Sequence, residues 1–299
     1  MDDRELALSE LQSEIAFEHW HHKGGPLPRL CAEQGEIQDD VRPLYRHPID
    51  SCSCSLVAFT PAVLKIKGAI EKLLYSTGQC SFNHCLIQLY RDGDDSISEH
   101  SDKTLDILND SVICNFSVGA TRTLILRKKC AYSKNLGVSV DDGDYDAQME
   151  RDTRRFSLPH NSLFVMSLGT NRDYTHQIKQ DKRAPRDKTR EEEGIRISFT
   201  FRSIATFYNC KYGVVFGQGA LRRPAVATTA AAAATDEPPG WRLYEEEEDE
   251  TSDESQVRRL LAAFSAENKT AKSWQELYGH GFSILGIGCG RGNESGGGK

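Results

Sequence analysis

The spacing of apolar positions along the chain changes near residue 80 and again near residue 255. Between Thr60 and Gly78, the residues Val63, Ile66, Ile70, Leu73 and Leu74 recur at helical intervals and so fall on one stripe. Thr60 can cap that helix, Pro61 suits its first position because proline has no amide hydrogen to leave unpaired, and Gly78 suits its end. From residue 83 onward the period shortens. The runs at 83–90, 111–118, 122–128, 154–158, 162–168 and 194–202 alternate or stay apolar, with turn residues such as Pro159-His160-Asn161 between them. One helix followed by many short strands predicts a mainly β fold with flanking helices, either a sandwich or a jelly roll.

Residues 222–255 break both periods, with small residues, then Pro238-Pro239, then an acidic block. Beyond them, 255–279 reads as two short helices whose Leu260, Leu261 and Phe264 form a face that should dock on the main domain. The expected organisation is an N-terminal extension with leading loops at 1–57, a β domain at 58–220, a low-complexity acidic linker at 221–255, a helical appendage at 256–285 and a disordered glycine-rich tail at 286–299.

Composition narrows the class. The 299 residues are 38% hydrophobic, enough for a sizeable core. Net charge is −7, but the segment 236–254 alone holds ten acids against one arginine, which leaves residues 1–235 at about −1. The basic stripe of a dedicated nucleic-acid binder is missing from that region. No apolar run approaches the roughly 18 residues of a membrane span. The acidic start, without a signal-peptide pattern, points to an intracellular protein. The nine scattered cysteines (31, 52, 54, 80, 85, 114, 130, 210 and 289) contain no CxxC pair for zinc and read as reduced thiols. Oligomeric state leaves no mark in the sequence.

Candidate chemistry starts at "ISEHSDKTLDI" (97–107). In extended backbone His100 and Asp102 share a face, so an imidazole nitrogen and a carboxylate could meet at one point. A surface turn with two solvated side chains is equally compatible with the pair alone. Downstream, "TNRDYTHQI" supplies His176 and "RISFTFR" supplies Arg196 and Arg202, six apart on one strand and so on one side. Two histidines and one carboxylate on a single face bind iron(II) with positions left open for substrate and dioxygen. A planar guanidinium anchors a carboxylate-bearing co-substrate through two parallel hydrogen bonds.

Together, "CLIQLYRDGDDSISEHSDKT", "SVGATRTLILRKK", "LPHNSLFVMSLGTNRDYTHQI" and "RISFTFR" resemble the AlkB-like branch of the Fe(II)/2-oxoglutarate-dependent dioxygenases over roughly residues 80–207. The resemblance implies a double-stranded β-helix, iron bound by His100, Asp102 and His176, and dioxygen as oxidant. It also implies 2-oxoglutarate held at its two carboxylate ends by Arg196 and Arg202, with Tyr90 assisting. Two positions depart from the family pattern. Gln88, which the resemblance places in contact with the co-substrate, stands where an asparagine is common and is one methylene longer. Thr104 stands where base-repairing members place an acid facing the alkylated base. Because of Thr104 and the neutral core, the expected substrate is a small molecule oxidised at a C–H bond, with dealkylation of methylated nucleobases as the alternative. Candidate substrate contacts are Tyr45 and Arg46 in "YRHPID", Thr104, and Arg122. If nucleic acid is bound, Arg122 could join Arg127, Lys128 and Lys129 in a phosphate patch; a solvated strand end is the other reading of those four.

Overall fold

The computed structural model describes residues 8–22, 25–48, 56–75, 81–129, 152–183, 194–224, 241–243 and 252–286. Gly78, five of the cysteines, most of the expected linker and the glycine-rich tail lie outside them. The chain begins with helix α1 (Leu8–Glu14), strands β1 (His21–His22), β2 (Gly25–Pro26), β3 (Leu30–Gly35), β4 (Val41–Pro43) and β5 (Val57–Ala58), then helix α2 (Pro61–Leu74). Strands β6 (His84–Tyr90), β7 (Ile97–His100), β8 (Val112–Gly119), β9 (Arg122–Lys128), β10 (Thr153–Leu158) and β11 (Ser162–Ser167) follow. A short helix α3 (Leu168–Asp173) leads into β12 (Tyr174–Ile178), β13 (Arg196–Arg202), β14 (Thr206–Asn209) and β15 (Val214–Gly217). Beyond these, β16 (Arg222–Pro224) pairs with β17 (Trp241–Leu243), and α4 (Asp253–Lys269) and α5 (Trp274–Tyr278) complete the described chain.

Two sheets carry the architecture. One has six strands in the order β11-β8-β13-β6-β3-β5, and the other four in the order β10-β9-β12-β7. The alternation of a strand explains how they pack. On β6 and β13, Cys85, Ile87, Leu89, Ile197, Phe199 and Phe201 turn to one side and share an apolar cluster with Val63, Ile66 and Ile70 of α2. Their sequence neighbours turn to the other side, where Tyr90, Ile113 and Met166 of the first sheet meet Leu124, Leu126 and Ile178 of the second. The result is a jelly-roll core with a helix closing its back. Leu73, read from the sequence as part of the buried helical stripe, is instead 67% exposed.

The N-terminal boundary expected at residue 57 does not separate an extension from the domain. Strand β3 pairs with β6 along its whole length, from Leu30 opposite Leu89 to Gly35 opposite His84. Its "LCAEQG" sequence hides the strand because Glu33 and Gln34 read as surface. Glu33 is in fact buried, 2.6 Å from Nε2 of buried His84. At the other end, α4 begins at Asp253, inside the expected linker, with Ser252 as its cap. Leu260 and Phe264 pack with Tyr278, Phe282, Ile284 and Leu105, whereas Leu261 is only partly covered. Burying each of the first two contributes about 1.5–3 kcal/mol, and Leu105 lies just three residues past Asp102.

Candidate active site

Strand β7 ends at His100, and β12 runs antiparallel beside it with His176 directly opposite. The chain then leaves the sheet, so Asp102 reaches back from a loop. One donor atom from each of His100, Asp102 and His176 lies within 4.8 Å of the others. Asp102 Oδ1 stands 3.8 Å from His100 Nε2 and 3.6 Å from His176 Nε2. His100 Nδ1 lies 2.8 Å from the Ser98 carbonyl, which can only accept, so Nδ1 holds the ring proton and Nε2 presents a lone pair. Burial, reinforced by the neighbouring His176, lowers the His100 pKa to about 3, and burial lowers that of His176 as well. Burial alone would raise the Asp102 carboxyl. Arg202 and the two imidazoles outweigh it and hold the group well below the usual carboxylate range. Two neutral imidazoles and an ionised carboxylate are the donor set that iron(II) takes.

Asp102 is held from three directions. Its Oδ2 accepts from Arg202 Nε (3.0 Å) and Nη2 (2.8 Å). Its backbone N–H donates to Asn171 Oδ1 (2.9 Å), and Asn171 Nδ2 donates to its carbonyl (2.9 Å). The Arg202 guanidinium lies over the Tyr45 ring, 4.3 Å from its centre. Arg202 therefore orients the carboxylate that faces the two imidazoles, and only its Nη1 is buried without a protein partner.

Arg196, on the same face of β13, is placed differently. It is fully buried, and its Nη2 donates to Ser117 Oγ (2.8 Å), Asn115 Oδ1 (3.2 Å) and Ser198 Oγ (3.3 Å). Its Nε and Nη1 have no partner. Burial lowers its pKa to about 10. An unpaired edge on a buried cation is costly, and a carboxylate is the group that satisfies both nitrogens at once. The Tyr90 ring lies 5.1 Å beneath the guanidinium. Gln88, its amide oxygen turned to Arg29, accepts from Arg29 Nε (2.9 Å) and Nη2 (3.2 Å). A cavity of about 1040 Å³ is lined by His100, Asp102, His176, Tyr90, Gln88 and Arg202, and Arg196 lies behind its wall, bonded to Asn115 and Ser198, which do line it. The cavity's size and the unpartnered Nη1 of Arg202 on its wall fit iron with 2-oxoglutarate and leave room for part of a substrate.

Of the expected substrate contacts, only Tyr45 lines this cavity. Arg46 turns away from it: the buried side chain pairs with Asp106 at 2.6 Å and donates to the carbonyls of Gly219, Phe282 and Ile284. Arg122 points inward to the carbonyls of Asp92, Asp95 and Lys179. Thr104 is covered by α4, its Oγ1 donating to Glu267 Oε1 at 2.5 Å. The basic run from Arg122 is no patch either. Arg127 pairs with Glu99 at 2.9 Å, and buried Lys129 donates to the Asn171 and Glu267 carbonyls, leaving Lys128 as its exposed member. Four residues that sequence reasoning passed over belong to the site: Asn115, Asn171, Glu267 and Asn268. Asn171 lay inside the quoted "TNRDYTHQI", where nothing marks it apart from its neighbours. Asn268 had no signal at all.

A family model described as the 2OG-Fe(II) oxygenase superfamily matches residues 2–202. Rat alpha-ketoglutarate-dependent dioxygenase alkB homolog 3 is 31% identical over 179 residues, covering 60% of this chain and 51% of that protein. Mouse DNA oxidative demethylase ALKBH2 is 31% identical over 200 residues, covering 66% of this chain and 68% of that protein. Its human counterpart is 32% identical over the same length, covering 66% and 62%. The chain spans about half the length of the alkB homolog 3 relatives it matches, 51% in rat and 52% in human.

Proposed function

The chain belongs to the 2OG-Fe(II) oxygenase superfamily, and from that premise we propose that it is an Fe(II)/2-oxoglutarate-dependent dioxygenase that oxidatively removes alkyl groups from nucleobases in DNA or RNA. The observation that carries the reaction class is the clustering of the His100, Asp102 and His176 donor atoms on the wall of one cavity, with the unpartnered Nη1 of Arg202 beside them.

When bound, iron(II) and 2-oxoglutarate supply the oxidation: one atom of dioxygen ends in succinate as carbon dioxide leaves, and the other enters a C–H bond of the N-alkyl group, which then departs as an aldehyde. The protein's share is placement. His100 and His176 offer lone pairs because burial keeps them neutral. Arg202 keeps Asp102 ionised and turns its Oδ1 to the imidazoles. Arg196, stacked on Tyr90 with Nε and Nη1 unpartnered, would hold the remote carboxylate of 2-oxoglutarate. Ile113, Leu124 and Met166 give the cavity an apolar stretch that limits bulk water around the reacting carbon.

Nucleobase substrates gain support over a small metabolite from two sides. Relatives named as DNA oxidative demethylases align over two thirds of the chain. The objection from Thr104 also loses its basis, because Thr104 lies under α4 and does not line the cavity. Lys179 and Lys182, both exposed, stand on the cavity wall where a phosphate backbone would pass. The test is succinate release in the presence of oligonucleotides of one sequence, methylated or unmethylated. Stimulation by the methylated strand is expected. Equal rates with both would return the substrate to the small-molecule class.

A further inference from the structure

The amides beside Asp102 have no strand partner, yet they are bonded. Four consecutive backbone N–H groups each donate to a side chain: Ser101 to Asn268 Oδ1 (2.9 Å), Asp102 to Asn171 Oδ1 (2.9 Å), Lys103 to the Tyr45 hydroxyl (3.3 Å) and Thr104 to Glu267 Oε1 (3.0 Å). Buried amides require partners, so these four acceptors dictate the loop's path. Two of them come from α4, beyond residue 202 where the family match ends. Asn268 is also the one residue past 202 among those lining the cavity. Its Oδ1 takes a second bond, from Lys103 Nζ at 2.5 Å. With both donors on the oxygen, the amide has a single orientation, and the residues on either side of Asp102 are tied to one atom. Glu267 is in turn fixed by the Tyr278 hydroxyl, which donates to its Oε2.

We propose that Asn268 is a positioning residue of the metal centre: by holding Ser101 and Lys103 on one carboxamide oxygen, it sets Asp102 where its Oδ1 can share a metal with His100 and His176. The C-terminal helix is thus part of the active site and not only an appendage. This rests on the reading of those three residues as metal ligands, and the test separates the two claims.

The measurement is titration of the full chain with cobalt(II) alone, without oxygen, 2-oxoglutarate or nucleic acid, followed by visible absorption and calorimetry, with thermal unfolding recorded in parallel. Asn268→Leu keeps the size but removes the acceptor. Its cobalt affinity should fall roughly 10-fold or more, in the range seen when partners of metal ligands are removed. Asn268→Asp retains the acceptor and should restore most of the affinity. Lys269→Ala, exposed on the same helix, should match the wild type. If Asn268→Leu does not fold, Asn268→Ser, too short to reach both donors, must show the same loss. Wild-type affinity in the leucine or serine variant overturns the proposal, as does an aspartate variant no better than leucine. A wild-type protein that binds no cobalt overturns the ligand reading itself.

Discussion

Arg196 and Arg202 sit six residues apart on one face of β13, yet their surroundings give them different work. Arg202 commits two nitrogens to Asp102, while Arg196 keeps two free. Arg196→Lys retains the charge but loses the flat edge, so the KM for 2-oxoglutarate should rise on the order of 10-fold or more while metal binding is kept. Steady-state kinetics with varied 2-oxoglutarate checks this; an unchanged KM would leave Arg196 as a packing residue. The sequence showed that the two arginines share a side, but not which would be taken by Asp102, because that depends on a loop outside the strand pattern. The half-buried histidines His47 and His100 add a pH dependence. Burial lowers His47 from 6.5 to about 4, and burial with His176 lowers His100 from 6.5 to about 3. Below 6.5 the unfolded chain therefore binds protons that the folded one refuses, and stability is lost as pH falls through that window. The metal-free protein should melt at a lower temperature near about pH 5 than near about pH 7. A flat profile would mean that these rings are protonated in the folded state.

At the scale of elements, the sequence located every strand of the jelly roll whose apolar side chains repeat, and β13 is the clearest case. Ile197, Phe199 and Phe201 face the helix while Arg196, Ser198, Thr200 and Arg202 face the site. It did not reveal β7 or β12, the strands that carry His100 and His176. "ISEH" and "YTHQI" are short, and polar residues stand where the cavity replaces a core. Nor did it reveal β3, whose buried Glu33 is matched by His84 from the neighbouring strand. The C-terminal helices were legible from Leu260 and Phe264, but their contact with the Asp102 loop was not, since it runs through Glu267 and Asn268. Phe264, 2% exposed against Tyr278, anchors that contact, and Phe264→Ala should cost about 3–5 kcal/mol in urea denaturation. A loss below about 1 kcal/mol would show that α4 is only loosely docked.

Across the whole molecule, Arg46 ties together segments far apart in sequence. Its guanidinium joins Asp106 from the loop after Asp102, Gly219 after β15, and Phe282 and Ile284 beyond α5. Gly219 must lack a side chain, because a Cβ there would lie 2.6 Å from Asp106 Oδ1 and 2.8 Å from Arg46 Nη2. Arg46→Met leaves Asp106 buried and unpaired, and should destabilise the protein by about 3–5 kcal/mol. Equilibrium unfolding measures it, and a neutral result would contradict the structural role given to Arg46 here. The central claim is that this one cavity couples 2-oxoglutarate oxidation to removal of an alkyl group from a nucleobase. Mass spectrometry of a reaction run under heavy-isotope dioxygen with a 1-methyladenine oligonucleotide tests it most directly. One heavy oxygen atom is expected in succinate for each oligonucleotide that loses its methyl group, and neither product with His176→Ala. An oligonucleotide of unchanged mass, or demethylation that proceeds without labelled succinate, would contradict it.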